Sequence, residues 1–518
     1  MKPILAPLAF VLVAAAPPPE PDRSIAQTEA ALAAGQTTSA ALVRHYLRRI
    51  AQIDRAGPRL NAILAVNPRA LADAARSDAL RKAGRPRGPL EGVPILIKDN
   101  IDSLDPLPTT AGSQALANNI THRDAPLVAR LRAAGAIILG KTNLSEWANM
   151  RSPHSTSGWS GIGGLTRNPY VLDRSACGSS SGTGAAIAAG LAVAGIGTET
   201  DGSITCPASV TALVGLKPTV GLVSRTHVIP ISHSQDTAGP MTTSVADAAM
   251  LLTILAGSDP ADPAALQADA HRQDYRAALK PGALRGARIG VLRFAVGDEP
   301  GTAALFERAL DDLRAAGAIL VDVKEPASQD KMGQYEHTIL ITELKQDLNA
   351  YLASTPPTVA TRDMAGLIAF NRAHSRAELP WFGQEYFEQA EASRGYSDAG
   401  YRKAVVEARR LAGADGIDDM LADDRLDALV APTGGPAWRS DLVTGDHFVG
   451  GGAGSYAAVA GYPHLTVPMG QVHGLPVGLS FLGAKWSEAR LIALGYSYEQ
   501  LTHQRRLPLF LAGPEQRP

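Results

Sequence analysis

Apolar positions follow two alternating rhythms along this chain. Over Ser39–Ala56, Ala41, Leu42, Tyr46, Leu47 and Ile50 recur at the spacing of one helical face, with Thr37, Thr38 or Ser39 placed to cap it. The run LNAILAV, Leu60–Val66, reads as a short strand, and Pro68–Lys82 returns to the helical rhythm. Gly92–Ile97 is continuously apolar and ends on Lys98-Asp99-Asn100, the pattern of a strand buried on both faces. Ala125–Ala134 is again helical, and Ala136–Leu139 reads as a strand closing on Gly140-Lys141-Thr142-Asn143. Alternation of this kind predicts layered α/β architecture.

Arg151–Ser175 has no period and is rich in Ser, Gly, Asn and Pro, so it reads as a functional loop or a packed irregular segment. Ser244–Ala256 is a strongly apolar helix with Ser244 as its cap, and Gly257–Gly286 is a connector with Asp-Pro repeats. Beyond it follow a strand at Ala287–Leu292, a helix at Thr302–Ala315, a strand at Ile319–Val323 and a largely helical block from Met332 to Leu421. Strands at Leu426–Val430, Leu465–Pro468 and Val477–Leu482 and a helix at Glu488–Thr502 close the chain, with no internal repeat and no heptad.

One stretch carries the candidate chemistry. Cys177–Lys217 holds two turns crowded with Ser, Gly and Thr, at Gly178–Gly184 and Thr198–Ser203, around the Ala-rich apolar segment Ala185–Ile196. Hydroxyl-rich turns beside buried elements are places where a substrate meets both a nucleophile and backbone N–H donors. Gly178-Ser179-Ser180-Ser181-Gly182 also satisfies G-x-S-x-G, the nucleophile elbow, with Ser180 at its centre. That elbow must follow a buried strand, and Val171–Ala176 (VLDRSA) is a poor one. There is no phosphate-loop lysine, dinucleotide fingerprint or His-Glu-x-x-His, and of the 12 histidines only His227 and His233 lie near this stretch. Lys98 is a different candidate: a lysine at the end of a buried strand loses hydration, which lowers its pKa and lets it act as a base towards a serine. Its bland alternative is a salt bridge to Asp99 or Asp102.

Composition changes the picture in three places. At 518 residues the length alone suggests two to four domains, while 49 Lys plus Arg against 50 Asp plus Glu gives no basic patch that would recommend a nucleic-acid partner. The first residues have one basic residue, Lys2, an apolar run from Ile4 to Ala16 and a Pro/Glu break, the layout of a secretory signal cut between Ala14 and Arg23; no other stretch reaches transmembrane length. The two cysteines, Cys177 and Cys206, are too few for a zinc site of the Cys-rich kind and are left as either a disulfide or two buried thiols.

Gly92–Ile101 (GVPILIKDNI), Gly178–Gly184 (GSSSGTG) and Gly197–Pro218 (GTETDGSITCPASVTALVGLKP) resemble the three landmark blocks of the amidase signature family, with the family's spacing of 24 residues between Ser179 and Ser203. The resemblance runs from about Ser39 to Arg505, and Gly221–Met241, Phe382–Glu385 and Ala460–Gly470 make it most similar to the bacterial peptide amidases of that family. It implies an α/β/α layered fold around a large mixed β-sheet, with 23–518 as one amidase domain after the signal peptide 1–22 and with 257–286 an internal connector. It further implies a Ser-Ser-Lys triad: Ser203 the nucleophile, Ser179 on a cis peptide relaying the proton, Lys98 the base. The N–H groups of Thr200, Asp201, Gly202 and Ser203 would form the oxyanion hole. Asp201 stands where many members carry glycine, and is read as a specificity feature, narrowing the pocket or binding a substrate N–H. Ser180 and Ser181 become turn residues hydrogen-bonded locally.

The expected reaction is carboxamide hydrolysis to acid and ammonia, on C-terminal amides of peptides or, alternatively, on small aliphatic or aryl amides. No metal or organic cofactor, no nucleic acid and no membrane span is expected. The partner is the amide substrate, in a monomer or homodimer that is exported, or cytoplasmic if the first segment is not a signal. A glutaminase-like component of a multi-subunit tRNA-dependent amidotransferase is a further rival, which the exported N-terminus argues against.

Overall fold

The computed structural model describes residues 23–326 and 329–513; the signal segment expected at 1–22 lies outside the described residues. Eleven strands form one mixed sheet: β1 Ile63–Val66, β2 Pro94–Lys98, β3 Ile137–Thr142, β4 Ala194–Glu199, β5 Val214–Lys217, β6 Thr237–Thr242, β7 Arg288–Val291, β8 Ile319–Asp322, β9 Ala428–Pro432, β10 His464–Val472 and β11 Leu475–Leu482. Their order across the sheet is β1-β3-β2-β4-β6-β5-β10-β11-β9-β7-β8. The pairs β3–β2, β2–β4, β9–β7 and β7–β8 are parallel and the others antiparallel. Every residue of β2, β3, β4 and β6 is buried, so these strands are apolar or small-residue runs without alternation.

The Ala-rich segment 185–196 divides between two elements. The helix Ser181–Ala188 ends, Gly190 turns the chain at φ +67°, and β4 begins at Ala194. Arg49 fastens the turn, its guanidinium donating to the carbonyls of Ala189 and Gly190 at 2.9 Å each. β6 (TAGPMT) has little strand character in sequence, yet it fills the slot between β4 and β5. There Gly239 is required by close approach, because a Cβ would stand 2.1 Å from the carbonyl oxygen of Leu216.

Strands from both sides of the connector 257–286 join the same sheet, β5 pairing with β10 through Leu216 and Leu465. The connector contains three short helical turns, and Tyr275 within it is buried. The helices Val245–Leu255, Pro300–Ala315 and Glu488–Thr502 pack on the sheet to form the main core. The long helix Gln329–Ala353 builds a separate cluster with Met364–Ala373 and Glu385–Glu391, around Leu344, Leu348, Leu367 and Phe387. Among the described residues no helix is long and apolar enough to cross a membrane.

Candidate active site

The parallel pairing of β2 with β4 sets Ile97 against Ile196 and so brings the ends of both strands together. Lys98 closes β2 fully buried; its Nζ lies 2.7 Å from Ser179 Oγ, 2.8 Å from Thr198 Oγ1 and 3.2 Å from the Thr198 carbonyl. Asn100 donates to the same Thr198 hydroxyl at 3.0 Å. Neither salt bridge weighed for Lys98 forms. Asp99 accepts from Thr110 and stands 3.9 Å from Lys141, while Asp102 binds Arg123 at 2.8 Å and Tyr351 OH at 2.8 Å. Burial brings Lys98 from 10.5 down to about 7, against the upward pull of Asp236 and Glu199. A neutral amine has two N–H groups and one lone pair. With both N–H groups on Thr198, the lone pair is left for the Ser179 hydroxyl.

The Gly178–Ser179 peptide is cis, and the Ser179 carbonyl accepts from the Ser145 N–H at 3.0 Å. Ser181 hydrogen-bonds locally, to the Cys177 carbonyl at 2.5 Å. Ser180 does not: its Oγ donates to the Thr198 carbonyl at 3.0 Å and accepts from the Thr198 N–H at 3.2 Å, and its N–H donates to the Ser203 carbonyl at 3.2 Å. The two hydroxyl-rich turns are thereby laced together. Ser180 itself is wholly buried and follows no strand, which disposes of the nucleophile elbow. The cysteines resolve as a disulfide, Cys177–Cys206, with Cα atoms 6.0 Å apart, joining the residue before the first turn to the helix Thr205–Val210 that follows the second.

The second turn is held from beneath by Glu199, whose Oε2 accepts from the N–H groups of Ile204 at 2.7 Å and Thr205 at 2.9 Å. Thr200 Oγ1 donates to Asp236 at 2.6 Å, and Asp236 also takes the N–H groups of Ile231 and Ser232 at 2.8 and 2.9 Å. Asp201 accepts from Ser455 Oγ at 2.7 Å. Among the described residues, no acceptor meets the N–H groups of Thr200, Asp201, Gly202 or Ser203. All four residues line a cavity of about 430 Å³, which Lys98 and Ser179 do not reach. Ser203 thus stands on the cavity wall, and its carbonyl, which accepts from the Ser180 N–H, joins it to the turn that carries Ser179.

The far wall consists of Thr433–Gly435, Trp438 and the loop Phe448–Ser455, including Gly450, Gly451, Gly452 and Gly454. His464 also lines the cavity; its Nε2 is 2.6 Å from Ser480 Oγ, and burial pushes its pKa to about 3, which keeps it neutral. Sequence reasoning passed over Glu199, Asp236, Ser455 and His464. Glu199 gave a signal as an acid inside the central stretch, and Asp236 and His464 lie within the stretches Gly221–Met241 and Ala460–Gly470 that carry the resemblance; Ser455 gave none. His233 with Glu343 and Asp347 is the one group among the described residues with metal-like proximity. Its ligand atoms are already engaged: Glu343 accepts from Ser234 and Tyr401 at 2.6 and 2.7 Å, and Asp347 lies 3.0 Å from His233 Nδ1, which raises the histidine pKa. It is a clamp between the loop carrying Asp236 and the helix Gln329–Ala353.

A buried lysine, two serines from different turns and a row of free N–H donors over one cavity make a site for acyl transfer. The amidase family model matches residues 41–492, and the chain belongs to that family. It is accordingly a hydrolase of amide C–N bonds. The structure of the native peptide amidase from Stenotrophomonas maltophilia is 53% identical and superposes with a TM-score of 0.90, covering 94% of this chain and 98% of that one. A probable amidase of Arabidopsis thaliana is 37% identical over 485 residues, 92% of this chain and 89% of its own length. One component of the glutamyl-tRNA(Gln) amidotransferase of Chloroflexus aurantiacus is 36% identical over 514 residues, 92% and 96% of the two lengths.

Proposed function

We propose that this amidase removes ammonia from the C-terminal carboxamide of peptides through an acyl-Ser203 intermediate. The observation that carries the chemistry is the 2.7 Å contact between Lys98 Nζ and Ser179 Oγ, in a turn hydrogen-bonded to Ser203 on the cavity wall. In the reaction the Ser203 proton passes to Ser179 as the Ser179 proton passes to Lys98, and Ser203 Oγ bonds to the amide carbon. The negative charge on the carbonyl oxygen is met by N–H groups of Thr200–Ser203, each such donor being worth about 10²–10³ in rate. Protonated Lys98 then returns its proton through Ser179 to the amide nitrogen. The C–N bond breaks, ammonia leaves, and water repeats the relay to release the acid.

The peptide substrate is supported by the likeness to a peptide amidase and by the shape of the cavity. Its volume of about 430 Å³ suits more than a bare carboxamide, and Phe448 and Val449 on its wall are exposed, offering an apolar surface to a peptide side chain. Export is part of the same reading, supported by the apolar leader in the sequence and by a disulfide that persists in oxidising compartments. The test is ammonia release from a panel of peptide amides, free Asn and Gln, and simple aliphatic and aryl amides. Peptide amides are expected to lead, and Ser203→Ala to abolish turnover without loss of fold. A preference for simple amides would replace the substrate reading, and a fully active Ser203→Ala would end the mechanism. The mass of the mature N-terminus in exported material checks the signal.

A further inference from the structure

Among the described residues lining the cavity beside Ser203, Asp201 is the single carboxylate, there is no lysine or arginine, and His464 is neutral; Asp446 sits behind the wall, accepting from the Ser157 N–H at 3.0 Å and Trp438 Nε1 at 3.0 Å. Asp201 is not an incidental surface charge. Ser455 donates to it, and it shares a hydrogen bond with Glu336, which in turn accepts from Gln235 Nε2 at 2.8 Å. Two carboxyl groups hydrogen-bonded to each other carry one proton between them, because two adjacent negative charges in a buried setting repel. Burial, reinforced by the charge of Asp201, raises Glu336 to about 8, so Glu336 holds the proton and donates it. Burial also raises Asp201, against the opposing hydrogen bonds from Ser455 and Glu336 and the charge of Lys217. The pair thus presents one negative charge, centred two residues before the nucleophile.

We propose that this charge, resting on the peptide-amide reading above, sorts substrates and expels product: residues next to the scissile amide are accepted when cationic or neutral and refused when acidic, and the carboxylate product is repelled as soon as it forms. The neutral carboxamide is tolerated beside Asp201. Hydrolysis replaces it with an anion at the same place, and the repulsion then falls on the product alone.

The test uses the full chain and the N-acetyl amides of lysine, glutamine and glutamate, three substrates of related shape and different charge. kcat/KM is expected to fall by about tenfold from lysine to glutamine and about tenfold again to glutamate, as one charge several ångströms away produces at partly screened protein sites. Asp201→Asn should collapse the lysine-to-glutamate ratio to near unity and tighten inhibition by N-acetylglutamine, the product acid, by about tenfold. Glu336→Gln keeps the charge on Asp201 and should keep the ratio at neutral pH. Raising the pH from 7 to 9 should widen the ratio further in the wild type than in Glu336→Gln, because only the wild type gains a second negative charge there. Lys98 and Lys217 lose charge in both proteins over that range, while Glu199, Asp236 and Asp446 face the site alike in both, so the difference between the profiles isolates Glu336. Turnover of all three amides without charge ranking, or a ranking unchanged in Asp201→Asn, overturns the inference alone. No turnover of any of them beside turnover of a simple aliphatic amide overturns the peptide reading and this inference together. If Asp201→Asn fails to fold, parallel pH profiles for the wild type and Glu336→Gln decide against the inference.

Discussion

Protonating Lys98 should silence the enzyme over a narrow and assignable pH range. Its pKa falls from 10.5 to about 7 because the amine is wholly buried, a difference of roughly 5 kcal/mol in favour of the neutral form. At pH 7 about half the molecules carry a neutral amine able to take the Ser179 proton; at pH 6 about a tenth do, and at pH 8 about nine-tenths. kcat/KM on an amide without titrating groups should therefore rise about fivefold from pH 6 to 7, less than twofold from 7 to 8, and then level off. Stability carries the matching signature. The folded pKa of this lysine lies below the unfolded one, so the unfolded chain binds more protons between about 7 and 10.5, and the Lys98 contribution to stability grows with pH across that window. Lys98→Met removes the dependence, so the stability difference between wild type and variant should change through the same range. The assays are ammonia release at constant ionic strength and chemical denaturation at pH 6, 7, 8 and 9. A flat rate profile from pH 6 to 8, with fold intact throughout, would refute the neutral-lysine mechanism.

Two further outcomes concern the frame around the site. Reducing the Cys177–Cys206 disulfide, which closes a loop of sequence separation 29, should lower stability by about 3–4 kcal/mol and lower activity with it, measured as denaturation midpoint and ammonia release with and without reductant. Arg151 is fully buried against Glu146 at 2.7 Å and over the Phe382 ring at 4.2 Å, so Arg151→Met should strand the Glu146 carboxyl and cost about 3–5 kcal/mol near neutral pH. That cost should shrink as acid protonates Glu146, whose pKa burial has already raised.

The legible part of this molecule was whatever repeats or whatever is spelled in a block. The helix Glu488–Thr502 and the strands ending at Lys98 and Leu482 announced themselves by period or by an unbroken apolar run. β4, β5 and β6 did not: they are short, Gly- or Pro-containing and buried on both faces, so nothing alternates, and β4 merges in sequence with the Ala-rich helix before it. At the site, Lys98, Ser179 and Ser203 stand in the three blocks. The groups that hold them, such as Asp236 beneath Thr200 and Ser455 and Glu336 beside Asp201, come from distant segments whose meeting is set by tertiary packing alone. Ser180 shows the limit from the other direction: nothing in the turn Gly178–Gly184 announces that one of its hydroxyls belongs to the neighbouring strand.

Ser180 and the disulfide join the two serine-bearing turns into one jaw, whereas the opposite jaw is built from loops rich in glycine around 434–435 and 450–454. The serines and the glycine-rich wall are thereby lodged in separate pieces of the chain, with Asp201 on the serine side hydrogen-bonded to Ser455 on the other. On the proposed mechanism, exchanging side chains on the glycine jaw should reshape the cavity wall without touching Lys98, Ser179 or Ser203, while selection by charge stays with Asp201 on the serine jaw. A change in either serine turn displaces its partner as well, so the two halves of the catalytic jaw have to be altered as one.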